Sequence, residues 1–317
     1  MVSVIIVTIN RSNELREISL PSLLEQDTDN FEVIVWDASK DDLSLGVVID
    51  MGPLFREKGV SLTFHRAPRL GSASQRNDAV ERARGRIGFF MDDDAEISPD
   101  GIRGLLDCFE KYPYAMGAGL VVEEVVDGVN LSEPRSAMEK LKDRFYRLAG
   151  YKRTRKVHPS GSAKGLWAGP GPAEWLSGCS MAFRRQVFDD VRFNERMETF
   201  GPYALGEDIE FSHGVFIKYG EPLRIAEKGM LVHWPLPTPR FRMDESAVAA
   251  KILNRYLIMK VASVRAPVLG RMGFTWFMLK NALVLPLSLG LDPVINGFKM
   301  AIEALPGRNE KITFPPR

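Results

Sequence analysis

Short apolar runs alternate with amphipathic segments through the first 122 residues of the chain. Four runs have the length and composition of buried strands, and they lie at residues 2–8, 31–36, 61–65 and 86–91. Between them, apolar residues recur at helical spacing over residues 13–25, 41–58 and 73–84. This alternation predicts an α/β fold with a mostly parallel central sheet flanked by helices. In such a sheet, ligands bind where the carboxyl ends of the strands open into loops.

The alternation of strands and helices continues after residue 97. Ser98 and Pro99 supply an N-cap and a first-turn proline for a helix that extends to about residue 111. Further strands are predicted at residues 115–122, 176–183 and 223–233, with a helix at 204–219. These elements extend the predicted α/β domain to residue 240.

Residues 244–305 have a different pattern, because they are compatible with helix almost throughout and are rich in Leu, Met, Phe and Val. The charged residues that interrupt the apolar stretches are Arg265, Arg271, Lys280, Asp292 and Lys299. No apolar run is therefore expected to reach the roughly 18 residues of a membrane-spanning helix. The pattern fits helices that lie in a bilayer interface, and it also fits helices buried against the main domain or against a dimer partner.

The 317-residue chain carries 42 Lys and Arg against 41 Asp and Glu, a formal net charge of +1. This balance gives no general reason to expect nucleic-acid binding. Cys108 and Cys179 are the two cysteines, and neither lies in a CxxC or Cys/His cluster. We therefore expect two reduced thiols in a cytoplasmic protein. The N-terminus enters a predicted strand at once, without the cationic leader and cleavage site of a signal peptide.

The segment 139–164 is basic and then rich in Gly and Ser. Its basic residues in the first part are Lys140, Lys142, Arg144, Arg147, Lys152, Arg153, Arg155 and Lys156. This composition predicts a mobile surface segment. Its charges are either simply solvated or belong to a flap that contacts an anionic acceptor.

Polar residues follow three of the predicted strands, at residues 8–11, 37–41 and 92–94. Because the carboxyl ends of parallel strands meet at one edge of a sheet, we expect these residues to converge. In the third group, the apolar run at residues 89–91 stops on three consecutive aspartates. Adjacent anions repel one another and bury nothing, so they favour a site for a hard divalent cation that bridges to phosphate. A solvated turn is the alternative interpretation.

Six segments of the chain resemble glycosyltransferase family 2, whose members have the GT-A fold and use nucleotide sugars. In chain order they read VSVIIVTINR, VIVWDASKDD, GSASQRNDAVERARG, FFMDDDAEISPDG, EWLSGCSMAFRR and GEDIEF. The likeness extends over about residues 2–235 and keeps the family's order. It implies a GT-A catalytic domain over 1–240, with a nucleotide-sugar-binding half at 1–122 and an acceptor-binding half at 123–240. Residues 241–317 would then be a helical extension.

The resemblance assigns part of the sheet edge to the nucleotide. The residues that it implies as nucleotide-binding are Thr8, Asn10, Asp37, Arg76, Asn77 and Asp92. A carboxylate such as that of Asp37 accepts a hydrogen bond from the imide N–H of uracil or thymine, which favours UDP or dTDP. Relatives commonly carry two acidic residues here, whereas this chain has Trp36 before Asp37. Arg76 is suited to phosphate recognition, and an ordinary surface arginine is the alternative.

The three aspartates correspond to the DxD motif of the family. The resemblance makes Asp94 the direct ligand of Mn²⁺ or Mg²⁺ and places Asp92 near the ribose or a metal-bound water. His233 closes a predicted strand at a position where many relatives carry a further metal ligand. One imidazole among carboxylates favours Mn²⁺ slightly. A structural histidine is the alternative for His233.

Glu207 and Asp208 open a predicted helix after Gly206, and the resemblance makes the second acid the general base. Asp208 would take a proton from the acceptor hydroxyl while Glu207 positions or polarises it. Carboxylates also stabilise a helix N-terminus without any catalytic role. Trp175 and Gly178 resemble the acceptor-side wall of the family, with core packing of Trp175 as the alternative.

These observations predict an inverting, metal-dependent glycosyltransferase. It would move a sugar from a nucleoside diphosphate to a glycan or lipid-linked acceptor in surface polysaccharide or glycoconjugate assembly, peripheral to the inner face of the cell membrane. Oligomerisation through the C-terminal helices is a further expectation. A nucleotidyltransferase is one alternative, but residues 9–13 contain none of the glycines of a triphosphate loop. A non-catalytic nucleotide-sugar-binding or membrane scaffold protein is another, and it would not require the carboxylate of Asp208.

Overall fold

A computed structural model describes residues 1–126, 128–130, 155–164, 169–202, 204–235 and 244–305. Strands make up the centre of the molecule. They are β1 (Val2–Thr8), β2 (Phe31–Asp37), β3 (Ser61–Arg66), β4 (Ile87–Met91), β5 (Ala95–Ile97), β6 (Gly117–Val126), β7 (Val129–Asn130), β8 (Lys156–Val157), β9 (Ala163–Lys164), β10 (Gly171–Ala173), β11 (Ser180–Arg184) and β12 (Leu223–His233).

Helices connect and cover these strands. They are α1 (Ser12–Glu14), α2 (Leu20–Leu24), α3 (Leu43–Glu57), α4 (Ser72–Val80), α5 (Gly101–Lys111), α6 (Val187–Asp190), α7 (Glu207–Tyr219), α8 (Glu245–Ala262), α9 (Pro267–Val284), α10 (Pro286–Leu289) and α11 (Leu291–Ala304). A π-helical turn, Leu15–Ser19, joins α1 to α2, and a 3₁₀ turn forms at Glu195–Glu198.

The main sheet has the strand order β10-β12-β6-β11-β4-β1-β2-β3. The strands β4, β1, β2 and β3 run parallel to one another, while β11 is antiparallel to both of its neighbours. In register, Thr8 pairs with Asp37, and Ile6 pairs with Met91. The carboxyl ends of β1, β2 and β4 therefore meet at one edge of the sheet, as the sequence predicts.

Both faces of the sheet are buried. Val4 and Ile6 of β1 belong to one apolar cluster, and Ile5 between them belongs to the cluster on the opposite face. This alternation follows from the two-residue period of a strand. Helices on both sides supply the partners, which explains why β1 and β2 are apolar along nearly their whole length.

The predicted elements are all present, with shifted ends at two places near the site. The strand predicted at 176–183 begins only at Ser180, because the amide of Ser180 donates to the carbonyl of Ser177 at 2.9 Å and closes a tight turn. The helix predicted at 204–219 begins at Glu207. Gly206 has a φ of 81°, a left-handed conformation that favours glycine and starts the helix there.

The C-terminal segment is helical, as predicted, and its helices are not equally buried. Helix α8 contributes Leu253, Leu257 and Ile258 to the core, whereas α9 buries little of its surface. Among the described residues, Pro267–Leu289 is long and apolar enough to cross a membrane by length and composition. Arg271 and Lys280 still interrupt the apolar runs, and the segment passes because isolated charges do not prevent a window from being apolar on average.

Most of the basic segment at 139–164 lies outside the described residues. Its described part is a hairpin formed by β8 and β9. The two cysteines are free and buried, as the sequence analysis expects. Burial raises the pKa of the Cys108 thiol to about 11 and also raises the pKa of Cys179, so both side chains remain protonated near neutral pH.

Candidate active site

The three aspartates after β4 have different partners. The Thr8 hydroxyl donates to Asp93 Oδ2 at 2.5 Å, and Arg11 Nη1 donates to Asp93 Oδ1 at 3.0 Å. Arg11 also forms an ion pair with Asp94. Asp93, the central aspartate, is thus held by Thr8 at the end of β1 and by Arg11 in the segment that follows β1. Asp92 and Asp94 lie on either side of it.

Asp92, Asp94 and His233 form a cluster with the composition of a metal site. His233 Nε2 lies 3.2 Å from Asp94 Oδ1 and 4.0 Å from Asp92 Oδ2. One ligand atom of each residue lies within 4.8 Å of those of the other two. Two carboxylates and one imidazole suit Mn²⁺ or Mg²⁺, with the nitrogen favouring Mn²⁺. The residues therefore fit the divalent cation that the sequence predicts.

Strand pairing brings His233 to the aspartates. β12 runs antiparallel to β5, with His233 opposite Ala95, and the amide of Trp234 donates to the carbonyl of Asp94 at 2.9 Å. Burial alone would raise the pKa of Asp94, but bonds from His233 and Arg11 outweigh it and lower that pKa. Asp94 is therefore held as the anion that a metal ligand must be.

Arg76 is buried between two groups of carboxylates. It donates to Glu207 and also to Asp92, with a distance of 3.3 Å from Nη2 to Asp92 Oδ1. The ring of Phe193 lies 5.8 Å from its guanidinium carbon. Burial opposes the charge of Arg76, but Glu207, Asp92 and Asp208 together raise its pKa. Arg76 thus connects the metal-site aspartates to the acidic pair at the start of α7.

Asp208 lies at the N-terminus of α7 with backbone donors on both oxygens. The amide of Gly178 donates to Asp208 Oδ2 at 3.0 Å, and the amide of Ile209 donates to Oδ1 at 2.8 Å. Burial nevertheless raises the pKa of Asp208, and it raises the pKa of Glu207 to about 7. A carboxylate with a raised pKa is a stronger base than an exposed one, as a general base requires.

Gly178 leaves space beside the acidic pair. A Cβ at Gly178 would lie 3.5 Å from both Arg76 Nη2 and Asp208 Cβ, which is ordinary contact distance. Trp175 is buried, and the guanidinium of Arg155 lies 5.3 Å from its ring. Gly178 is therefore adjacent to the acidic pair, while Trp175 belongs to the core beneath it. The acceptor-side roles of both residues remain predictions.

The predicted nucleotide side is built around Asp37. Its side chain is fully buried, and it accepts hydrogen bonds from Ser39 and from Arg66, the latter at 3.0 Å. The Ser39 hydroxyl in turn accepts from the amide of Asn10 at 2.7 Å. Asn10 has a φ of 53°, in the left-handed region that Asn tolerates better than most residues. These hydrogen bonds already use most of the acceptor capacity of Asp37. Its contact with a nucleobase remains a prediction.

Asn77 is held by the segment that precedes α7. Its side-chain amide donates to the carbonyl of Phe193 at 2.9 Å, and its oxygen accepts from the amide of Phe193 at 2.9 Å. It also donates to Glu195. These contacts fasten α4 to residues 193–195, and the contact of Asn77 with a nucleotide remains a prediction.

The sequence profile of Glycosyl transferase family 2 matches residues 3–192 of the chain. The chain belongs to glycosyltransferase family 2. Curated protein sequences include none that matches it. The match contains β1, β2 and the three aspartates, but it ends before the acidic pair of α7. The roles of Glu207, Asp208 and His233 are therefore argued from geometry.

Solved structures of GT-A glycosyltransferases share the fold. S. aureus TarS 1–349 in complex with UDP superposes with a TM-score of 0.59 at 18% identity, covering 96% of this chain and 81% of that one. A second S. aureus TarS structure is covered over 49% of its chain. GalNAc-T7 with UDP, GalNAc and Mn²⁺ gives a TM-score of 0.58 at 14% identity, covering 92% of this chain and 58% of that one.

A fourth structure extends the comparison to another donor. The mannosyltransferase PcManGT from Pyrobaculum calidifontis, with GDP-Man and Mn²⁺, gives a TM-score of 0.54 at 16% identity, covering 95% of this chain and 86% of that one. The α/β prediction is thus confirmed as a GT-A fold, and the family prediction is confirmed as well. Membership of family 2 makes the chain a nucleotide-sugar glycosyltransferase.

Several residues that organise this family 2 site were not assigned roles from the sequence. Arg11 holds Asp93 and Asp94, Arg66 holds Asp37, and Glu198 accepts from the first amides of α4 at 2.6 and 2.8 Å. Asn254 of α8 donates to the carbonyls of Met197 and Leu205. Helix α8 of the C-terminal segment thus supports the loop before α7. Only Arg11, directly after a strand end, was recognisable in the sequence.

A further, half-buried carboxyl lies one helical turn beyond Glu207 and gives a testable pH effect. Burial raises the pKa of Glu210 from 4.5 to about 7, although a bond from Asn194 at 3.1 Å opposes the shift. Between these pH values the unfolded chain loses the proton while the folded protein keeps it, so stability falls as pH rises. From pH 4.5 to pH 8, the free energy of unfolding of the wild type should therefore fall by about 2 kcal/mol more than that of Glu210→Gln.

Urea unfolding of both proteins at the two pH values measures this difference. The exposed Glu221 supplies the control, since Glu221→Gln should follow the wild type at both pH values. An equal difference between Glu210→Gln and the wild type at pH 4.5 and pH 8 would contradict the raised pKa of Glu210.

Proposed function

We propose that the protein is an inverting, metal-dependent glycosyltransferase that moves a sugar from UDP or dTDP to a hydroxyl of a glycan or lipid-linked acceptor. One observation carries the proposal. Arg76 donates to Asp92 of the metal cluster and to Glu207, the residue before Asp208, and the charge of Asp208 also acts on Arg76. This arrangement supports a base on one side of a reacting centre and a diphosphate site on the other.

The reaction that suits this arrangement is a single displacement. Asp208 takes the proton of the acceptor hydroxyl as that oxygen bonds to the anomeric carbon, and the bond from this carbon to the diphosphate oxygen breaks. Attack opposite to the leaving group inverts the anomeric configuration, through a transition state with oxocarbenium character. Asp92, Asp94 and His233 would hold Mn²⁺ or Mg²⁺, which neutralises charge on the departing diphosphate. Arg76 links Asp92 to Glu207, which is next to Asp208 in the chain.

The identity of the nucleobase in the donor is supported by fewer observations. Asp37 at the end of β2 favours a uracil or thymine base, and TarS and GalNAc-T7 have been solved with UDP. PcManGT has been solved with GDP-Man, so the fold itself accommodates a different base. We propose UDP or dTDP on the strength of Asp37. The division of the domain into a donor half at 1–122 and an acceptor half at 123–240 belongs to the same proposal.

Thermal unfolding with a panel of nucleoside diphosphates tests the donor site. UDP, dTDP, GDP and CDP would each be added with and without Mn²⁺. We expect UDP or dTDP to raise the melting temperature only when Mn²⁺ is present, because a ligand that binds the folded state stabilises it, by about 2.7 kcal/mol at 100 times its Kd.

The panel also separates the alternatives. Stabilisation by nucleoside triphosphates but not by diphosphates would favour a nucleotidyltransferase. Stabilisation that does not depend on metal would favour a binding or scaffold protein. No stabilisation by any nucleotide would overturn the proposed donor site.

The acceptor and the location of the enzyme complete the proposal. A lipid-linked acceptor at the inner face of the cell membrane would explain why a GT-A domain carries an apolar helical extension beside its acceptor side. The extension would also permit an oligomer.

A further inference from the structure

Helix α9 exposes a continuous apolar face. Its members are Val268, Leu269, Met272, Trp276, Leu279 and Leu283. At about 100° per residue, these six positions fall within an arc of about 100° around the helix. Trp276 is 69% exposed and Leu283 is 74% exposed, so the face is open rather than partly covered. An apolar patch of this kind marks an interaction site.

The opposite face of α9 is packed closely on the body of the protein. A Cβ at Gly270 would lie 2.3 Å from Ser263 Cβ, and one at Gly273 would lie 2.5 Å from Ser160 Cβ. Phe277 packs under the guanidinium of Arg255 at 4.8 Å. The helix is therefore attached along its length to α8 and to the β8–β9 hairpin. It lies on the molecule with one face outward, in the way of an interfacial helix rather than a spanning one.

The charged residues of the segment that carries the apolar face are all basic. Residues 263–290 contain Arg265, Arg271 and Lys280 and neither Asp nor Glu. On the helix, Arg271 and Lys280 lie beyond opposite edges of the apolar arc, where long basic side chains extend along an apolar surface to reach phosphate groups. Lys251 of α8 adds to this charge, and burial together with Arg255 and Lys280 lowers the pKa of Lys251.

The apolar face is connected rigidly to the acceptor side of the site. A Cβ at Gly161 of the β8–β9 hairpin would lie 2.8 Å from the amide nitrogen of Met259 in α8, which shows how closely the two pack. At the other end of the hairpin, the amide of Glu174 donates to the carbonyl of Arg155 at 2.7 Å. Glu174 is followed by Trp175 and then by Gly178, which donates to Asp208.

We infer that the apolar face of α9 docks on an anionic phospholipid bilayer, with α9 lying in the plane of the interface and the acceptor side of the site held near the membrane surface. An apolar arc with basic residues at its edges suits acyl chains and anionic headgroups together. A second copy of the chain fits less well, because a two-fold contact through this face would bring its basic edges together. The position of the acceptor rests on the proposed function, whereas the docking surface does not.

Sedimentation of the full chain with vesicles tests the docking surface. Vesicles of phosphatidylcholine alone would be compared with equimolar phosphatidylcholine and phosphatidylglycerol. We expect binding to the anionic vesicles, a blue shift of Trp276 emission, and at least about a tenfold loss of binding in the double variant Leu279→Glu/Leu283→Glu. Raising the salt concentration should also weaken binding, because the basic edge is screened.

The control is a double variant on α3, Leu43→Glu/Leu54→Glu. These leucines are 64% and 52% exposed, comparable to 55% for Leu279 and 74% for Leu283. The control should bind vesicles as the wild type does. Equal binding by both double variants, or no binding by the wild type, would overturn the inference.

Two further measurements distinguish membrane docking from self-association and from a failure of the proposed donor site. Self-association of the wild type without vesicles, abolished by Leu279→Glu/Leu283→Glu, would assign the face to a second copy of the chain and overturn the membrane assignment. The stabilisation by nucleoside diphosphate and Mn²⁺ should be the same in the wild type and in both double variants. If the wild type showed no such stabilisation, this result would count against the proposed donor site and leave the docking surface unaffected.

Discussion

Asp208→Asn is expected to lower the turnover number by about 10³-fold, which is within the usual contribution of a general base. The amide of Asn is nearly the same size and can keep the hydrogen bond from Gly178, but it cannot take a proton. Turnover can be followed as release of the nucleoside diphosphate from the matching nucleotide sugar, with water as the acceptor. Binding of the diphosphate with Mn²⁺ should remain within about twofold of the wild type, since the change affects the reaction rather than the donor site.

Glu210→Gln is the matched control for this loss. Glu210 also lies on α7 and is also a carboxyl with a raised pKa, but its partner is Asn194 rather than Gly178. Its replacement should leave turnover at neutral pH nearly unchanged. If Asp208→Asn retained turnover within about tenfold of the wild type, another group would have to be the base. A wild-type protein that binds donor without releasing diphosphate would instead support the scaffold alternative.

The second large effect is expected at the metal cluster. Asp94→Asn should weaken Mn²⁺ binding by at least about 100-fold, because even outer-shell changes at metal sites cost 10- to 100-fold. Asp94 is the aspartate that faces His233, at 3.2 Å, and its pKa is lowered. Calorimetric titration of Mn²⁺ at a fixed concentration of UDP or dTDP measures the affinity without requiring turnover.

Asp93→Asn distinguishes the metal cluster from a general effect of removing charge. Asp93 faces Thr8 and Arg11 instead of His233. Its replacement should not lower the free energy of unfolding near pH 7, because burial and the neighbouring Asp94 raise the pKa of Asp93 to about 7, and Arg11 keeps its ion pair with Asp94. We expect Mn²⁺ binding to fall by less than about tenfold in this variant. Equal losses of Mn²⁺ affinity in Asp93→Asn and Asp94→Asn would contradict the assignment of Asp94 as the ligand.

The order of strands and helices was predictable because the patterns that specify it are local. A short, nearly continuous apolar run marks β1 and β2, and the switch to carboxylates after Met91 marks the end of β4. The convergence of Thr8, Asp37 and Asp92 followed from the rule that parallel strands end at one edge. The turn at residues 177–180 was read as strand because it lies between Leu176 and the apolar residues 181–183, while its conformation depends on the Ser177–Ser180 hydrogen bond.

The contacts of the site depend on residues far apart in the chain and were therefore much less predictable. Arg76 meets Glu207 across 131 positions, and the sequence analysis gave it to the nucleotide. Asn77 was given to the nucleotide as well, whereas its observed partners are Phe193 and Glu195. Neither pairing has a local signal, because each requires α4 to lie beside the segment that leads into α7.

The sequence by itself determined the α/β alternation, the aspartates after β4 and the acidic pair at the start of α7, since each depends on a few neighbouring residues. Only the tertiary structure decided that Asp94 faces both His233 and Arg11 while Asp93 faces Arg11 and Thr8, because these contacts depend on how β1, β5 and β12 are placed around one turn. It also decided that α9 turns Gly270 and Gly273 inward and Trp276 outward. Burial is a property of what packs against a residue, so a helix with apolar residues on all sides acquires an inner and an outer face only when its neighbours are in place.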